Sequence, residues 1–207
     1  MRMSEQPNVA YRVTEIDGVP TVWAETDGPL RARLTFRVGH ADEQPLTRGT
    51  THLVEHLAMH GVQRRRDHSD VRLEATTLNF GLVGDEEHIV ERLAAITRRL
   101  HALPDEWLPL ETDTVRAEAV RRRAGNARDD LLTWRYGATS YGLGAFHEFA
   151  LGRTTIDELH AWTRRFATRG NAVLMITGGA PPAGLRLHLP DGEYQPPPDP
   201  HLSIVPV

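Results

Sequence analysis

Apolar positions near the start of the chain alternate in the manner of strands. Tyr11 to Ile16 leads into an Asp17-Gly18 turn, Thr21 to Glu25 follows, and Leu30 to Val38 sets Leu34, Phe36 and Val38 on one face. The pattern then changes. His52 to His60 holds no helix breaker, Thr50 and Thr51 stand where caps stand, and Gly61 supplies a stop, so a short helix is predicted. Alternation returns over Val71 to Val83 through Leu73, Ala75, Leu78, Phe80 and Leu82, which predicts one or two strands broken near Thr76-Thr77.

After Gly84 the period becomes helical, with Ile89, Leu93, Ile96 and Leu100 on one face. Pro104 interrupts, and a second helix is predicted from Leu108 to about Ala124, ended by Gly125-Asn126. Leu131 to Tyr136 reads as a turn or two of helix and Gly137 to Phe146 as a loop. Thr155 to Phe166 is amphipathic, and Ala172 to Thr177 is an apolar strand closed by Gly178-Gly179. From Pro190 the chain, with Gln195-Pro196-Pro197-Pro198, reads as an extended linker. The division is one α+β domain over residues 1–190 and a Pro-rich tail over 191–207, without internal repeats.

Composition narrows the function classes. In 207 residues, 40% apolar and 25% charged, there is material for the core of an ordinary globular domain. Every one of the 24 basic residues is Arg, and 28 acidic residues outnumber them, so no basic field argues for nucleic acid. The Arg64 to Arg66 and Arg121 to Arg123 runs read as solvated faces. No apolar run approaches the roughly 20 residues that span a bilayer, and the N-terminus lacks the apolar stretch of a secretory signal. With no cysteine there is neither a disulfide framework nor a thiolate ligand, which suits a cytoplasmic protein and leaves His and carboxylates as the strong metal ligands.

The segment His52-Leu53-Val54-Glu55-His56 supplies such ligands. On a helix, His52 and His56 lie about 6 Å apart along one face, a separation two ligands of one tetrahedral zinc can use. Glu55 projects beside them, placed to take a proton from water and pass it to a leaving amine. This is the inverse of the HExxH arrangement. A third ligand must come from another element, and Glu118 on the later helix is the candidate, with Glu111 seven residues earlier on nearly the same face as its supporting carboxylate. His60 continues the histidine stripe but stands about 12 Å from His52 along the axis, too far for a shared ion, and reads as a helix-end residue.

The stretch FRVGHADEQPLTRGTTHLVEHLAMHG, the Glu111/Glu118 spacing and DELHAWTRRFATRGNAVLMITGG together resemble the pitrilysin/insulinase family of zinc peptidases. The likeness covers about Tyr11 to Leu189, one domain of that family. It implies a mainly antiparallel sheet with helices packed on one face. It also implies a Zn2+ ion held by His52, His56 and Glu118, with Glu55 as general base and Glu111 in support. Family members bind peptide as an added edge strand, and in the corresponding segment LEATTLNFGLVG the implied contacts are Ala75, Thr76 and Asn79.

Two departures stand out. The spacing between the motif and the glutamate pair is about ten residues shorter than in the family, with the loss near Arg64 to Val71. Family enzymes also set a second, metal-free domain opposite the first, supplying Arg and Tyr; Arg135-Tyr136 is not at the matching place. The expectation is a zinc-dependent, peptide-processing endopeptidase that needs a second subunit of related fold, with a homodimer as runner-up, and the Pro-rich tail with the apolar end Leu202 to Val207 could pack against that partner. A non-catalytic assembly subunit and a zinc hydrolase of non-peptide substrates are the alternatives.

Overall fold

The computed structural model describes residues 10–62, 68–121 and 127–200. The Arg64 to Arg66 run, Arg122, Arg123, Gly125-Asn126 and Leu202 to Val207 lie outside them.

The alternating segments form one sheet. Strands β1 (Arg12–Ile16) and β2 (Val19–Ala24) pair antiparallel around Asp17-Gly18, both of which take positive φ, 49° and 79°. With β3 (Arg31–Phe36), β4 (His68–Leu73), β5 (Leu78–Val83) and β6 (Ala172–Thr177) they make a six-stranded sheet in the order β1-β2-β6-β3-β5-β4. Every pairing is antiparallel except β2 with β6.

Period-two burial gives the sheet one covered face. Ala32, Leu34 and Phe36, Leu78, Phe80 and Leu82, and Ala172, Leu174 and Ile176 point into the core, while Arg31, Arg33, Val173 and Met175 lie on the open side. Each fully buried Leu or Phe of this kind contributes about 1.5–3 kcal/mol. The covering elements are α1 (Thr50–Met59), α2 (Glu86–His101), α3 (Leu108–Arg121) and α5 (Ile156–Phe166), while α4 (Ala127–Tyr136) buries no residue and packs on the segment that follows it. Helix α1 packs against α2, α3 and α5. Its Leu53, Leu57 and Ala58 enter the core, which leaves His52, Glu55 and His56 for a different face.

The caps of α2 and α5 follow from their sequences. Asp85 accepts from the His88 amide, and Thr155 with Glu158 forms a capping box. Helix α1 departs from expectation, because Thr50 and Thr51 fall inside its first turn and Gly49 precedes it with φ 108°. A more distant side chain does the capping. The Glu43 carboxylate accepts from Gly49 N at 3.0 Å and Thr51 N at 2.8 Å, satisfying amides that begin the helix.

Helix α4 is a full ten residues, longer than its apolar pattern suggested, and a 3-10 segment, Ser140–Ala145, occupies the predicted loop. The chain after Pro190 is extended but fastened to the body. Arg37 Nε donates to Gln195 O, Gln195 N donates to Asn171 Oδ1 at 3.0 Å, and Tyr141 Oη donates to Pro198 O at 3.1 Å. Proline removes amide donors without removing carbonyl acceptors, so a Pro-rich segment with no ladder can still be held along its carbonyls. Among the described residues no helix is long and apolar enough to cross a membrane.

Candidate metal and catalytic site

Helix α1 brings His52, Glu55 and His56 together so that one ligand atom from each lies within 4.8 Å of the others. The His52 and His56 rings meet edge to face with centroids 4.8 Å apart. Across from them α3 presents its glutamates on one face, as the seven-residue spacing requires. Glu118 Oε2 lies 3.5 Å from His52 Nε2, and Glu118 Oε1 lies 3.8 Å from His56 Nε2. Glu55 therefore groups with the two histidines on its own helix, while the carboxylate facing both imidazole Nε2 atoms is Glu118.

Each imidazole is also held from behind. His56 Nδ1 is 2.9 Å from Glu111 Oε2. The other oxygen of Glu111 meets His60 Nδ1 at 2.6 Å, and the His60 ring stacks on Trp107 with centroids 4.1 Å apart. His60 is thus more than a helix end. It anchors the carboxylate that anchors His56.

His52 Nδ1 is 2.9 Å from Glu148 Oε1, a contact the sequence did not disclose. Glu148 belongs to the irregular stretch after the 3-10 segment, with neither periodicity nor motif to mark it. It is buried, and Arg48 Nη1 approaches the same oxygen at 3.6 Å. Burial pushes the Glu43 carboxyl above its ordinary value, opposed by Arg48 and the amides of Thr51 and Gly49. The three donors converging on Glu43 are the pattern that an ionised carboxylate satisfies.

A cavity of about 810 Å³ opens from this cluster, lined by His52, Glu55, Glu118 and Glu148 on one side and by Val71 to Thr76 on the other. Ala75 and Thr76 thus border the site. Asn79 does not: it sits on β5, accepts from Thr35 Oγ1 at 2.8 Å and donates to Thr77 Oγ1 at 3.1 Å. The segment holding Ala75 is fixed by close backbone approach, since His40 N and Ala41 N donate to Glu74 O and Ala75 O at 3.2 and 2.8 Å. Gly39 makes that approach possible, because a Cβ there would overlap both carbonyl oxygens.

His40, on the same wall, is lowered from 6.5 to about 4, first by burial and then by the Arg48 and Arg128 charges, with Glu148 acting in the opposite direction. The unfolded chain then takes up this proton first as pH falls. The stability is complete above pH 6.5 and lost toward pH 4, by about 3 kcal/mol in all. Denaturant unfolding of the metal-free chain across this range should show the loss, and His40→Gln should show a smaller one. Equal losses in both proteins would remove His40 from the account.

No protein-family model matches the chain, and no curated protein matches it by sequence. Solved structures do. The chain is similar to a protease from Helicobacter pylori at 15% identity and a TM-score of 0.71, over 94% of this chain and 54% of that one. It is similar to pitrilysin at 15% identity and a TM-score of 0.71, over 94% of this chain and 24% of that one. It is also similar to a chain of complex III2 from Candida albicans, Inz-5 bound, at 11% identity and a TM-score of 0.72, over 93% of this chain and 49% of that one. The protein therefore has a pitrilysin-like α+β fold, in a length that spans about half of the H. pylori protease and about a quarter of pitrilysin.

Proposed function

We propose that this chain is a zinc-dependent endopeptidase that processes peptides, the catalytic half of an enzyme completed by a second domain of the same fold. The observation that carries the reading is the convergence of His52 Nε2 and His56 Nε2 on the Glu118 carboxylate, with Glu55 beside them. Two imidazoles and a carboxylate without thiolates suit zinc with an open position, and the carboxylates behind both rings fit the way metal-bound histidines are oriented. His52, His56 and Glu118 would hold the ion. When bound, zinc supplies Lewis acidity that lowers the pKa of water to about 7 and polarises a carbonyl.

The remaining work falls to the chain's own residues. Glu55 would take the proton of the attacking water and return it to the departing amide nitrogen, while Glu111 keeps His56 oriented. β4 ends the sheet order, and its Val71, Arg72 and Leu73 line the cavity, so a peptide added along that edge would pass the metal cluster. The cavity is open. A second domain would exclude water and position the scissile bond.

The same fold within complex III2 supports a second reading, an assembly subunit without turnover. Solution mass, zinc content and hydrolysis of a peptide library, measured for the chain alone and then with its candidate partner, separate the two. Close to one zinc per chain, weak hydrolysis alone and strong hydrolysis with the partner are expected. Full activity of a strictly monomeric chain would refute the half-unit while leaving the metal reading intact. A zinc-loaded complex that cleaves nothing would favour assembly.

A further inference from the structure

Taking the metal reading as its basis, we propose that Glu148 is a positioning residue that fixes the ring orientation and tautomer of His52, and that the buried Glu43–Arg48 pair holds Glu148 in place. The contact is on the far side of the ring from the cluster. Glu148 Oε1 lies 2.9 Å from His52 Nδ1, whereas His52 Nε2 faces Glu118 at 3.5 Å. A carboxylate only accepts, and on a neutral ring the closer of the two carboxylates, at 2.9 Å against 3.5 Å, takes the single N–H, so Nδ1 carries the proton and Nε2 keeps the lone pair, on the side where a metal would sit. From that position Glu148 acts through His52.

The chain behind Glu148 is continuous. Arg48 Nη1 stands 3.6 Å from Glu148 Oε1 and donates to Glu43 Oε2 at 3.0 Å. Arg48 also donates from Nε to Leu143 O at 3.0 Å and accepts at its own carbonyl from Ala150 N at 3.1 Å, which clamps the stretch containing Glu148. Glu43 in turn grips the Gly49 and Thr51 amides, the first turn of the helix that carries His52. One network therefore sets both the backbone of His52 and the carboxylate behind its ring. Glu43, Arg48 and Glu148 are all buried, with the Arg48 guanidinium between the two carboxyl groups. Gly49 admits the arrangement, since a Cβ at that left-handed position would lie 2.9 Å from Glu148 Cβ.

His56 is held differently, by Glu111 on α3, which His60 shares. Loss of Glu148 should then disturb one ring and spare the other. The test uses the full chain with Glu148→Leu, which fills much of the volume but offers no acceptor, and Glu148→Ala, with two readouts. In the metal-free protein, imidazole 15N shifts should report His52 as the Nδ1–H tautomer in the wild type and a gain of the Nε2–H tautomer in the variants, with His56 unmoved. By chelator competition, zinc affinity should fall about 10- to 100-fold. A wild-type tautomer and unchanged zinc affinity in both variants would overturn the proposal, as would a loss confined to thermal stability with both readouts intact. Should the Ala variant fail to fold, the Leu variant alone decides. Absence of zinc uptake by the wild-type chain would instead overturn the metal reading, a result distinguishable because the tautomer is read without metal.

Discussion

Replacing Glu55 by Gln is expected to lower peptide turnover by about 100-fold or more while zinc remains bound. Glu55 shares one side of α1 with His52 and His56, but their Nε2 atoms face Glu118 on the opposite helix. The amide keeps the size and polarity of the carboxylate and loses its capacity to accept a proton at neutral pH. Binding and chemistry should therefore separate, with KM for a cleaved peptide changing far less than kcat. Single-turnover kinetics on the zinc-loaded variant, with metal content measured on the same sample, gives the answer. Near-normal cleavage would sink the general-base assignment, and loss of zinc would move Glu55 into the ligand set.

The second large effect concerns the metal itself. His52→Ala and Glu118→Ala should each reduce zinc affinity by more than the roughly 10- to 100-fold that follows loss of a supporting carboxylate, because a donor atom is removed outright. His60→Ala should leave occupancy near the wild-type level. It deletes one of two bonds to Glu111, and His56 Nδ1 retains the other at 2.9 Å. Competition titration against a chelator, with folding checked on the metal-free proteins, orders the four proteins. Full zinc retention by Glu118→Ala would point to Glu55 as the third donor, since a Glu55 oxygen lies within 4.8 Å of both histidines.

The parts of this site carried by regular elements could be read from the sequence. A spacing of four on one helix brings His52 and His56 together, and a spacing of seven on another aligns Glu111 with Glu118, because helical geometry converts sequence distance into direction. The strands were legible for the same reason, through alternation such as that of Leu34, Phe36 and Val38. Glu148 and Glu43 were not, since both sit in irregular chain and reach their partners through tertiary contacts over long or unpatterned separations. The Thr50-Thr51 cap failed for a related cause. Local composition offered a plausible hydroxyl, but a buried carboxylate from an earlier turn satisfies those amides with charge as well as a hydrogen bond. Asn79 illustrates register, because on β5 it is bound to Thr35 across the strand pair and does not line the cavity.

The position of β6 sets an order of events during synthesis. That strand lies between β2 and β3, so the two N-terminal strands acquire their shared neighbour only when residues 172–177 arrive. Helix α1 ends at Met59, and at about 5–20 residues per second the ribosome takes roughly 6 to 20 seconds to reach β6 from there. Through that interval Leu34 and Phe36 on β3 lack the pairing that closes the sheet over them. The nascent chain thus holds His52 and His56 before it has a complete sheet, and any metal capture that requires the finished domain would follow emergence of the last strand from the exit tunnel.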